Sequence, residues 1–514
     1  MPTPGLRGRL ALLGILAFGL TVRLWTIGNG IPHTVGVDEP EIMNRVVDIM
    51  KSGDYNPHFF DYGGLTIYFH TAVASVRFAV GALIGEPGFG TLGEAWAGNF
   101  YLWARTATAL IGALLVYVVY RIGLRWGLRT ALIAALFTAI HPSLVREAHF
   151  ALTDTPLTLF VALTMLVALI AAEDGRLRWF ALAGMAAGLA TAVKYNGAVA
   201  LLMPLAVAAL SKTVHLRAAA AIVACLGWTG AFIAGAPYSV LDLPEFLKAF
   251  AHLAQSYNQS RPPLDGADVY LTHVRNSFSF GWGGWSVRLG WPALLLGSYG
   301  FLMLLIRRPS RAGFAGPIAI GVFSGAYLWL ISHQSLIYMR YALPLLPVLC
   351  LGIGMGISTL ADRVSARIPE GRLRFAVLLL LVLPMVPPSW QAFRFNWDRA
   401  GTVGTEELAA RWLEKNVSPK DPILAETPVI RLPPQFNRDY THSLIRESLQ
   451  AYQDKGVKYL VLSSEKTESA RQNPGSYEAV AYQKLLEATQ VIHVITRTDV
   501  NPGPTLTILK VPPK

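Results

Sequence analysis

The sequence carries little charge and almost no cysteine for its length. Only 15% of its 514 residues are charged and 53% are hydrophobic, whereas about a quarter of the residues in a typical soluble domain are charged. This deficit, together with many long apolar runs, indicates a polytopic membrane protein. The two cysteines, Cys225 and Cys350, both lie in apolar segments. Neither a disulfide framework nor a thiolate metal site is therefore implied.

The sequence also lacks patterns that would point to other classes of protein. It contains no internal repeat, no low-complexity tract and no histidine spacing typical of a zinc site. Its net charge of +12 is compatible with nucleic-acid binding, but many of the arginines stand in short clusters between apolar runs. This distribution follows the positive-inside rule of membrane proteins, so we expect no nucleic-acid partner.

The apolar runs predict an α-helical membrane domain of about 11–13 transmembrane helices, each crossing a hydrocarbon core ~30 Å thick. The stretch MPTPGLRGRLALLGILAFGL resembles a signal peptide without a cleavage site, and we interpret it as a first helix with Arg7 and Arg9 on the cytoplasmic side. The basic loops then lie inside. The loops predicted to face outwards are 28–104, 143–151, 194–196, 237–290, 332–340 and everything after 389.

Residues 64–84 complicate this topology, because they are also apolar and long enough to cross. A single crossing would invert every later loop and place the arginine clusters outside. The segment therefore either lies along the interface or pairs with a return crossing through residues 91–104, and the interfacial placement is favoured.

The composition changes near residue 395, where polar residues begin to dominate. We predict a transmembrane domain over residues 1–394 and a small extracytoplasmic α/β domain over 395–514. Periodicity predicts helices in GTEELAARWLEKNV, SLIRESLQAYQDKG and YEAVAYQKLLEAT, and strands in DPILAE, VKYLVLSS and TLTILKVP.

Acidic and basic residues from distant parts of the chain fall on the predicted outer side. Asp38 and Glu39 stand in GVDEPE, Asp154 in HFALTDTPL, Lys194 in AVKYNG and Arg340 in HQSLIYMRYALPLLP. Two carboxylates with nearby cations suit the transfer of a group from an anionic lipid carrier. One carboxylate would deprotonate the acceptor, and the cations would neutralise the leaving phosphate.

Simpler interpretations of the same residues stay open. Asp38 followed by Glu41 fits a capping box, and Asp154 followed by Pro156 is typical of a helix N-terminus. Lys194 and Arg340 are long enough to reach lipid head groups from within the membrane. The histidines His58, His149 and His333 are most often interfacial hydrogen-bonding groups, and metal ligation by them is the less favoured alternative.

The ordered set of these segments resembles the family 39 glycosyltransferases. This branch of the C-type superfamily includes the protein-O-mannosyltransferases and the bacterial aminoarabinose transferase that modifies lipid A. The resemblance rests on the acidic pair Asp38–Glu39 and on five further segments. They are SGDYNPHFFDYGGLTIYF, ARTATALIGALLVYVVYRIG, HPSLVREAHFALTDTPL, GLATAVKYNG and MRYALPLLP.

The resemblance implies a C-type glycosyltransferase fold in the plasma (inner) membrane. It implies a sugar donor carried on a polyprenyl phosphate, transfer on the outer face with inversion, and a lipid, glycan or protein acceptor. Asp38 matches the catalytic base, Glu39 would support it, and Asp154 matches the second acidic position. The residues expected to contact the carrier phosphate or the substrate are Lys194, Arg340, Tyr341, His58, Tyr62 and His149. The sequence identifies no cofactor with certainty, and a divalent cation stays open.

The sequence departs from its relatives at Tyr62-Gly63-Gly64-Leu65, where many of them carry a lysine followed by two prolines. We expect Lys194 or Arg340 to replace that lysine. No glycine-rich nucleotide-binding loop is evident, which argues against a sugar-nucleotide donor. A lipid or sugar transporter and a non-catalytic scaffold are the competing functions. The first would place its acids at mid-depth between repeated halves, and the second leaves the outer acids without a role.

Overall fold

The computed structural model describes residues 5–33, 36, 38–259, 270, 285–307, 313–334, 338–426, 430–471 and 475–514. The chain divides into two compact units. The first comprises Met1–Ile27, Asp48–Ser75 and Trp103–Asn396, and the second comprises Gly28–Val47, Val76–Leu102 and Trp397–Lys514. The second unit thus includes two segments from the N-terminal part of the chain as well as the C-terminal region. The domain boundary near residue 395 stays a prediction.

The described part of the chain up to residue 400 is mainly helical. Its helices are α1 Leu6–Leu24, α2 Glu39–Ser52, α3 Leu65–Leu83, α4 Tyr101–Gly123, α5 Leu128–Ile140, α6 Pro142–Glu147, α7 Asp154–Asp174, α8 Leu177–Val193, α9 Leu202–Leu210, α10 Arg217–Gly235, α11 Tyr238–Leu241, α12 Leu243–Gln259, α13 Trp285–Ile306, α14 Ala315–Ser332, α15 Leu346–Arg367, α16 Arg372–Leu380 and α17 Val386–Ala400. Six 3₁₀ segments interrupt this series in the described residues, and the two longest are Tyr195–Leu201 and Met339–Leu345.

Seven helical segments of the described chain are long and apolar enough to cross a membrane, and the prediction of a multi-pass membrane protein is confirmed. They are Leu65–Leu83, Tyr101–Trp126, Asp154–Asp174, Arg217–Gly235, Ala315–Ser332, Met339–Arg367 and Arg372–Asn416. Four shorter apolar helices accompany them, Leu128–Ile140, Leu177–Val193, Tyr195–Leu210 and Trp291–Ile306. Because α3 is among the seven, its length permits a crossing, and its interfacial placement stays a prediction.

Small residues allow the helices of the first unit to approach closely. A Cβ on Gly300 of α13 would lie 1.7 Å from the carbonyl oxygen of Gly352 in α15, and one on Gly352 would lie 2.3 Å from that of Gly297. Lipid tails are as apolar as leucine side chains, so helices in a bilayer gain stability from close van der Waals packing. Glycine is required at this crossing because the two backbones touch.

A buried arginine joins α1 to α5. The guanidinium of Arg23 is fully buried and donates to the carbonyl oxygens of Gly19, Thr138 and Ala139 at 2.9–3.0 Å. Thr138 and Ala139 lie in the last turn of α5, whose carbonyl groups have no helical partner of their own. One side chain therefore satisfies the end of α5 and fixes the packing of α1.

The C-terminal part of the second unit is a five-stranded mixed sheet. Its strands are β1 Ile423–Glu426, β2 Arg438–Thr441, β3 Tyr459–Ser463, β4 Gln490–Ile495 and β5 Leu506–Lys510, in the order β2-β1-β3-β5-β4. β1 is parallel to β2 and β3, and β5 is antiparallel to β3 and β4. The helices around it are α18 Thr405–Asn416, α19 Leu449–Asp454, α20 Ser464–Arg471 and α21 Tyr477–Glu487.

Alternating side chains of the strands supply two hydrophobic cores, one on each face of the sheet. Val461 packs with Ala409 and Leu413 of α18, whereas its neighbours Leu460 and Leu462 pack with residues of α19 and α21. Strand side chains alternate between faces, so a sheet covered by helices on both sides reads as a continuous apolar run. The run YLVLS of β3 has this pattern.

The carboxylate of Glu426 ties the ends of the strands together. It is buried and accepts hydrogen bonds from the backbone N–H groups of Leu444 and Ser463 and from the hydroxyl of Tyr482, at 2.7–3.0 Å. Three donors from separate segments converge on one buried acid. Its burial is therefore compensated, and its role in the sheet is structural.

The small C-terminal α/β structure is confirmed, with differences at its edges. The predicted helices around α18 and α21 and the strands β1, β3 and β5 are present. The predicted helix SLIRESLQAYQDKG is shorter, because Leu444–Arg446 forms a 3₁₀ turn before α19 begins. Strands β2 and β4 are absent from the sequence prediction. Both are edge strands, and edge strands need no apolar alternation to pair on one side.

The close crossing of α13 and α15 gives a first prediction. Gly300→Ala should lower the free energy of unfolding by about 1–3 kcal/mol, because its Cβ would overlap the backbone of α15. Thermal unfolding in lipid nanodiscs measures the change. Gly325→Ala in α14 is the matched control, since a Cβ there meets no atom within 4 Å, and it should leave the unfolding temperature unchanged or slightly raised. Equal behaviour of the two variants would contradict the assigned packing.

Candidate functional site

A cavity of about 390 Å³ lies within the first unit. Five parts of the chain line it: the segment after α2, the segment after α8, helix α12, the end of α14 and the 3₁₀ segment before α15. The lining residues are Asp61, Tyr62, Lys194, Tyr195, Asn196, Phe250, Leu253, Ala254, Trp329, Leu330, His333, Gln334 and Tyr341. Three of the predicted site residues, Tyr62, Lys194 and Tyr341, therefore share one cavity.

An ion pair between Lys194 and Asp154 forms part of the cavity wall. Lys194 follows the last residue of α8 with extended backbone angles, and its Nζ donates to Oδ1 of Asp154 at 2.9 Å. Both side chains are buried. A buried ion needs a partner of opposite charge, since removal of either partner leaves an uncompensated charge in the interior. Each residue therefore requires the other.

The position of Asp154 at a helix N-terminus is confirmed, because α7 begins at this residue. Its carboxylate, however, accepts from the Lys194 ammonium across 40 residues of sequence. The start of α7 thus positions the carboxylate of Asp154 next to the ammonium group of Lys194.

Two aromatic rings flank the same ammonium group. The Nζ atom of Lys194 lies 4.8 Å from the ring centroid of Tyr341 and 5.8 Å from that of Tyr62. Ring faces attract a cation at these distances, more strongly where water is excluded. Lys194 is therefore held by one carboxylate and two rings at the wall of the cavity.

Glycine brings Tyr62 to this position. A Cβ on Gly63 would lie 1.9 Å from the carbonyl oxygen of Ala192, so the chain passes directly against the end of α8 just before Lys194. The hydroxyl of Tyr195 donates to the carbonyl groups of Phe60 and Tyr62, at 2.9 and 3.1 Å. The Tyr-Gly-Gly departure from the relatives thus places an aromatic ring beside the lysine.

Glu147 is a further buried acid near the ion pair, and it is not among the site residues predicted from the sequence. It ends α6, is 3% exposed and forms an ion pair with Arg146. Burial raises the pKa of Glu147, and the positive charge of Arg146 acts in the opposite direction. Asp154, Arg340 and Lys194 also act on this carboxyl group electrostatically. Acids and bases of α6, α7, the segment after α8 and the 3₁₀ segment Met339–Leu345 therefore form one charged cluster.

Arg340 and Tyr341 reach this cluster through their 3₁₀ segment, which packs against α6 and α7. Tyr341 is buried and lines the cavity, whereas Arg340 is half-buried and lies outside the lining. Neighbouring residues of a 3₁₀ turn point about 120° apart. One short segment can therefore present a ring to the cavity and a charge to its surroundings.

Asp38 and Glu39 belong to the second unit. Helix α2 begins at Glu39, whose buried Oε2 accepts the backbone N–H of Gly36 at 2.6 Å. This bond closes the turn before the helix. Asp38 precedes it and is half-buried. The catalytic roles of both residues stay predictions.

Of the three histidines considered from the sequence, His333 lines the cavity, whereas His58 and His149 do not. His58 is exposed, and its Nε2 lies 3.1 Å from Oδ2 of Asp54. His149 is fully buried, with Nδ1 2.8 Å from the carbonyl oxygen of Val145 and Nε2 2.9 Å from that of Trp25 and from Oδ1 of Asn396. These contacts hold the loop between α6 and α7 in place. Among the described residues, no group of three or more His, Cys, Asp or Glu side chains could hold a metal ion.

Several cavity residues stood next to the motifs that drew attention in the sequence. Tyr195 and Asn196 belong to AVKYNG, and Asp61 precedes Tyr62. Glu147, which lies outside the lining, stands in REAHFALTDTPL. The Nδ2 of Asn196 donates to the hydroxyl of Tyr327 at 2.9 Å. Polar residues at a break in an apolar helix could have identified these positions from the sequence. Trp329 and Phe250 also line the cavity, but no sequence pattern marks them.

The raised pKa of Glu147 gives a prediction about stability. Because its folded-state pKa lies above the ordinary value of 4.5, the folded protein binds this proton more tightly than the unfolded chain. The stabilisation associated with that proton is present below the unfolded pKa and is lost as pH rises through the folded pKa. Glu147→Gln removes the effect, so the unfolding temperature of the native protein should fall relative to the variant as pH rises above 4.5.

Thermal unfolding in nanodiscs across this pH range measures the difference. Glu478→Gln on the exposed side of α21 is the control, and its curve should follow that of the native protein. A constant difference between the native protein and Glu147→Gln at every pH would show that Glu147 does not titrate in this way.

Comparison with known proteins identifies one matching family. Residues 92–240 match the family described as dolichyl-phosphate-mannose-protein mannosyltransferase. This segment includes α4 to α10, with Asp154, Lys194 and Glu147. A comparison with curated protein sequences gave no match.

Three solved structures share the overall fold. ArnT from Cupriavidus metallidurans, bound to undecaprenyl phosphate, has a TM-score of 0.56 at 15% identity over 97% of this chain and 97% of that chain. The archaeal oligosaccharyltransferase AglB from Archaeoglobus fulgidus, in complex with an inhibitory peptide and a dolichol-phosphate, has 0.56 at 14% identity over 97% and 74%. The arabinofuranosyltransferase AftD from Mycobacteria has 0.53 at 15% identity over 98% and 40%.

Identities this low show a common fold and leave the substrate to be argued from the site. The predicted resemblance is confirmed: the chain has the C-type glycosyltransferase fold and resembles the family 39 glycosyltransferases, with residues 92–240 matching their mannosyltransferase model.

Proposed function

We propose that this protein transfers a sugar from a polyprenyl-phosphate carrier to an acceptor hydroxyl on the outer face of the membrane. The observation that carries the proposal is the Lys194 ammonium, held between Asp154 and Tyr341 in the wall of the cavity. The fold is that of ArnT, which was solved with undecaprenyl phosphate, and of AglB, which was solved with a dolichol-phosphate.

Lys194 is the group proposed to meet the carrier phosphate. A lysine ammonium has three N–H donors, and within the described residues Asp154 takes one of them. The others are available to phosphate oxygens. Negative charge on the phosphate grows as the glycosidic bond breaks, and a fixed cation in a partly dry site stabilises it more than water does. Asp154 would keep the Lys194 ammonium correctly placed, and Arg340 would add positive potential.

The cavity also offers an apolar wall. Phe250, Leu253 and Ala254 of α12 and Leu330 of α14 line it, and the rings of Tyr195 and Phe250 lie 5.6 Å apart. Such a wall suits the first isoprene units of a carrier lipid. The membrane itself supplies most of the affinity for the tail, at about 0.8 kcal/mol for each buried CH₂ group.

Asp38 is the proposed general base. An acceptor hydroxyl is a poor nucleophile at neutral pH, and a positioned carboxylate accelerates its attack by about 10²–10⁴-fold. Direct inversion requires the base and the leaving phosphate on opposite sides of the sugar. Glu39 would support Asp38 by closing the turn before α2 through its bond to Gly36.

Substitution of Lys194 tests the proposed phosphate site. Lys194→Met should lower kcat/KM for a polyprenyl-phosphate sugar by about 10²–10³-fold, because one fixed charge at the leaving group is lost. The assay offers a panel of polyprenyl-phosphate sugars to the full-length protein in nanodiscs and follows sugar release or transfer. Lys248→Met is the matched control, since Lys248 lies on α12 with its side chain 78% exposed. Full activity of Lys194→Met would remove this residue from the mechanism.

Substitution of Asp38 tests the general base separately. Asp38→Asn should lower kcat by about 10²–10⁴-fold while the protein stays folded. The matched control is Asp48→Asn, at an exposed position on α2, which should turn over at the native rate. An active Asp38→Asn variant would return Asp38 to the role of a helix cap. If the native protein turned over no donor in the presence of an acceptor panel, the proposed activity itself would be wrong.

A further inference from the structure

The second unit contains a cavity of about 440 Å³ between the strands β1 and β2 and the segment that carries α19. We name it the strand-edge cavity, because β2 is the outermost strand of the sheet. Its polar lining residues include Asn437, Asp439, Thr441, Arg446, Glu447 and Lys455. We propose that the strand-edge cavity binds a neutral saccharide.

The register of the strands explains why polar side chains face this cavity. Asp439 is paired with Leu424 and Thr441 with Glu426, and paired residues of neighbouring strands point to the same face. Leu424 packs against the core that contains Tyr452 of α19. Asp439 therefore stands on the α19 side of the sheet, at the edge where no further strand covers it.

The charges of the lining divide into one internal pair and two separate groups. Nζ of Lys455 lies 2.6 and 2.7 Å from the two carboxylate oxygens of Glu447, so these charges neutralise each other. Asp439 and Arg446 are exposed. Neither forms an ion pair among the residues that the structure describes. With two acids and two bases, the lining has no formal net charge.

This arrangement favours a hydroxyl-rich ligand over an anionic or apolar one. A phosphate would require excess positive charge, and a lipid would require an apolar lining. A carboxylate accepts hydrogen bonds through two oxygens, and a guanidinium donates several in a fixed fork. Adjacent hydroxyl groups of a sugar ring can satisfy both, and the amide of Asn437 supplies one more donor and acceptor. Small-molecule sites of roughly 300–1,000 Å³ are usual, and the strand-edge cavity lies in that range.

Saccharide binding in the strand-edge cavity goes beyond the proposed glycosyl transfer. It can be measured without turnover of a donor. Saturation-transfer NMR on the full-length protein in nanodiscs would be recorded with neutral methyl glycosides of mannose, glucose, galactose and arabinose. Glucose 6-phosphate serves as the anionic probe, and inorganic phosphate, which has no C–H protons to observe, is added as a competitor. We expect saturable transfer to at least one neutral glycoside at millimolar concentration and none that depends on phosphate.

Variants assign the signal to the strand-edge cavity. The double variant Asp439→Ala/Arg446→Ala should raise the apparent Kd for that glycoside at least tenfold. The matched control Arg497→Ala/Asp499→Ala removes one base and one acid from an exposed segment outside the lining and should bind as the native protein does. Thermal unfolding shows whether the variants are folded. Asp439→Asn, which keeps an oxygen acceptor and a similar size, should bind more tightly than Asp439→Ala.

Three outcomes would overturn the proposal. They are the absence of transfer to every neutral glycoside, an unchanged Kd in the folded double variant, and binding confined to the phosphate-bearing probes. A glycoside signal that survives in the double variant would belong to another part of the protein, including the first cavity. Donor turnover is measured in a separate assay. Absence of saccharide binding would therefore not contradict the proposed glycosyl transfer, and absence of turnover would not contradict saccharide binding.

Discussion

A buried charge needs a partner, and the ion pair between Lys194 and Asp154 is the interaction on which the first cavity depends. It joins the end of α8 to the start of α7 in an interior made mostly of apolar side chains. Loss of one partner from a buried pair typically costs about 3–5 kcal/mol. The pair lies where α8 ends, and the next two residues, Tyr195 and Asn196, line the cavity. Arg23 obeys the same constraint through carbonyl groups of α5.

Two departures from the α-helix adjoin the same cavity. A 3₁₀ segment has i→i+3 hydrogen bonds of poorer geometry than those of an α-helix, and it often marks a functional position. The two 3₁₀ segments, Tyr195–Leu201 and Met339–Leu345, both contribute residues to the cavity lining. Non-α-helical backbone and polar side chains therefore occur together at the cavity, because each 3₁₀ segment contributes lining residues to it.

The second unit contains both buried and exposed charged side chains. Glu426 is buried, and three donors satisfy it, so its charge holds the sheet together and leaves nothing for a ligand. Asp439 and Arg446 are exposed in the lining of the strand-edge cavity. Oδ1 of Asp439 accepts the backbone N–H of Tyr440 at 2.8 Å, which leaves Oδ2 for a ligand. Glu426 is therefore a structural group, because its hydrogen bonds are made within the protein, whereas the exposed Asp439 is a candidate binding group.

The sequence by itself determined the membrane class, the strands β1, β3 and β5, and the motifs that hold Asp154, Lys194 and Tyr341. Composition and periodicity encode these features locally. Tertiary structure decided that Asp154 pairs with Lys194, that Gly63 brings Tyr62 beside them, and that Glu147 is buried nearby. It also added the edge strands β2 and β4. Ion pairing and burial depend on which distant segments of the chain meet, so a local sequence pattern does not predict them. An edge strand pairs on one side only and needs no alternation of apolar residues, so β2 and β4 also lack a sequence pattern.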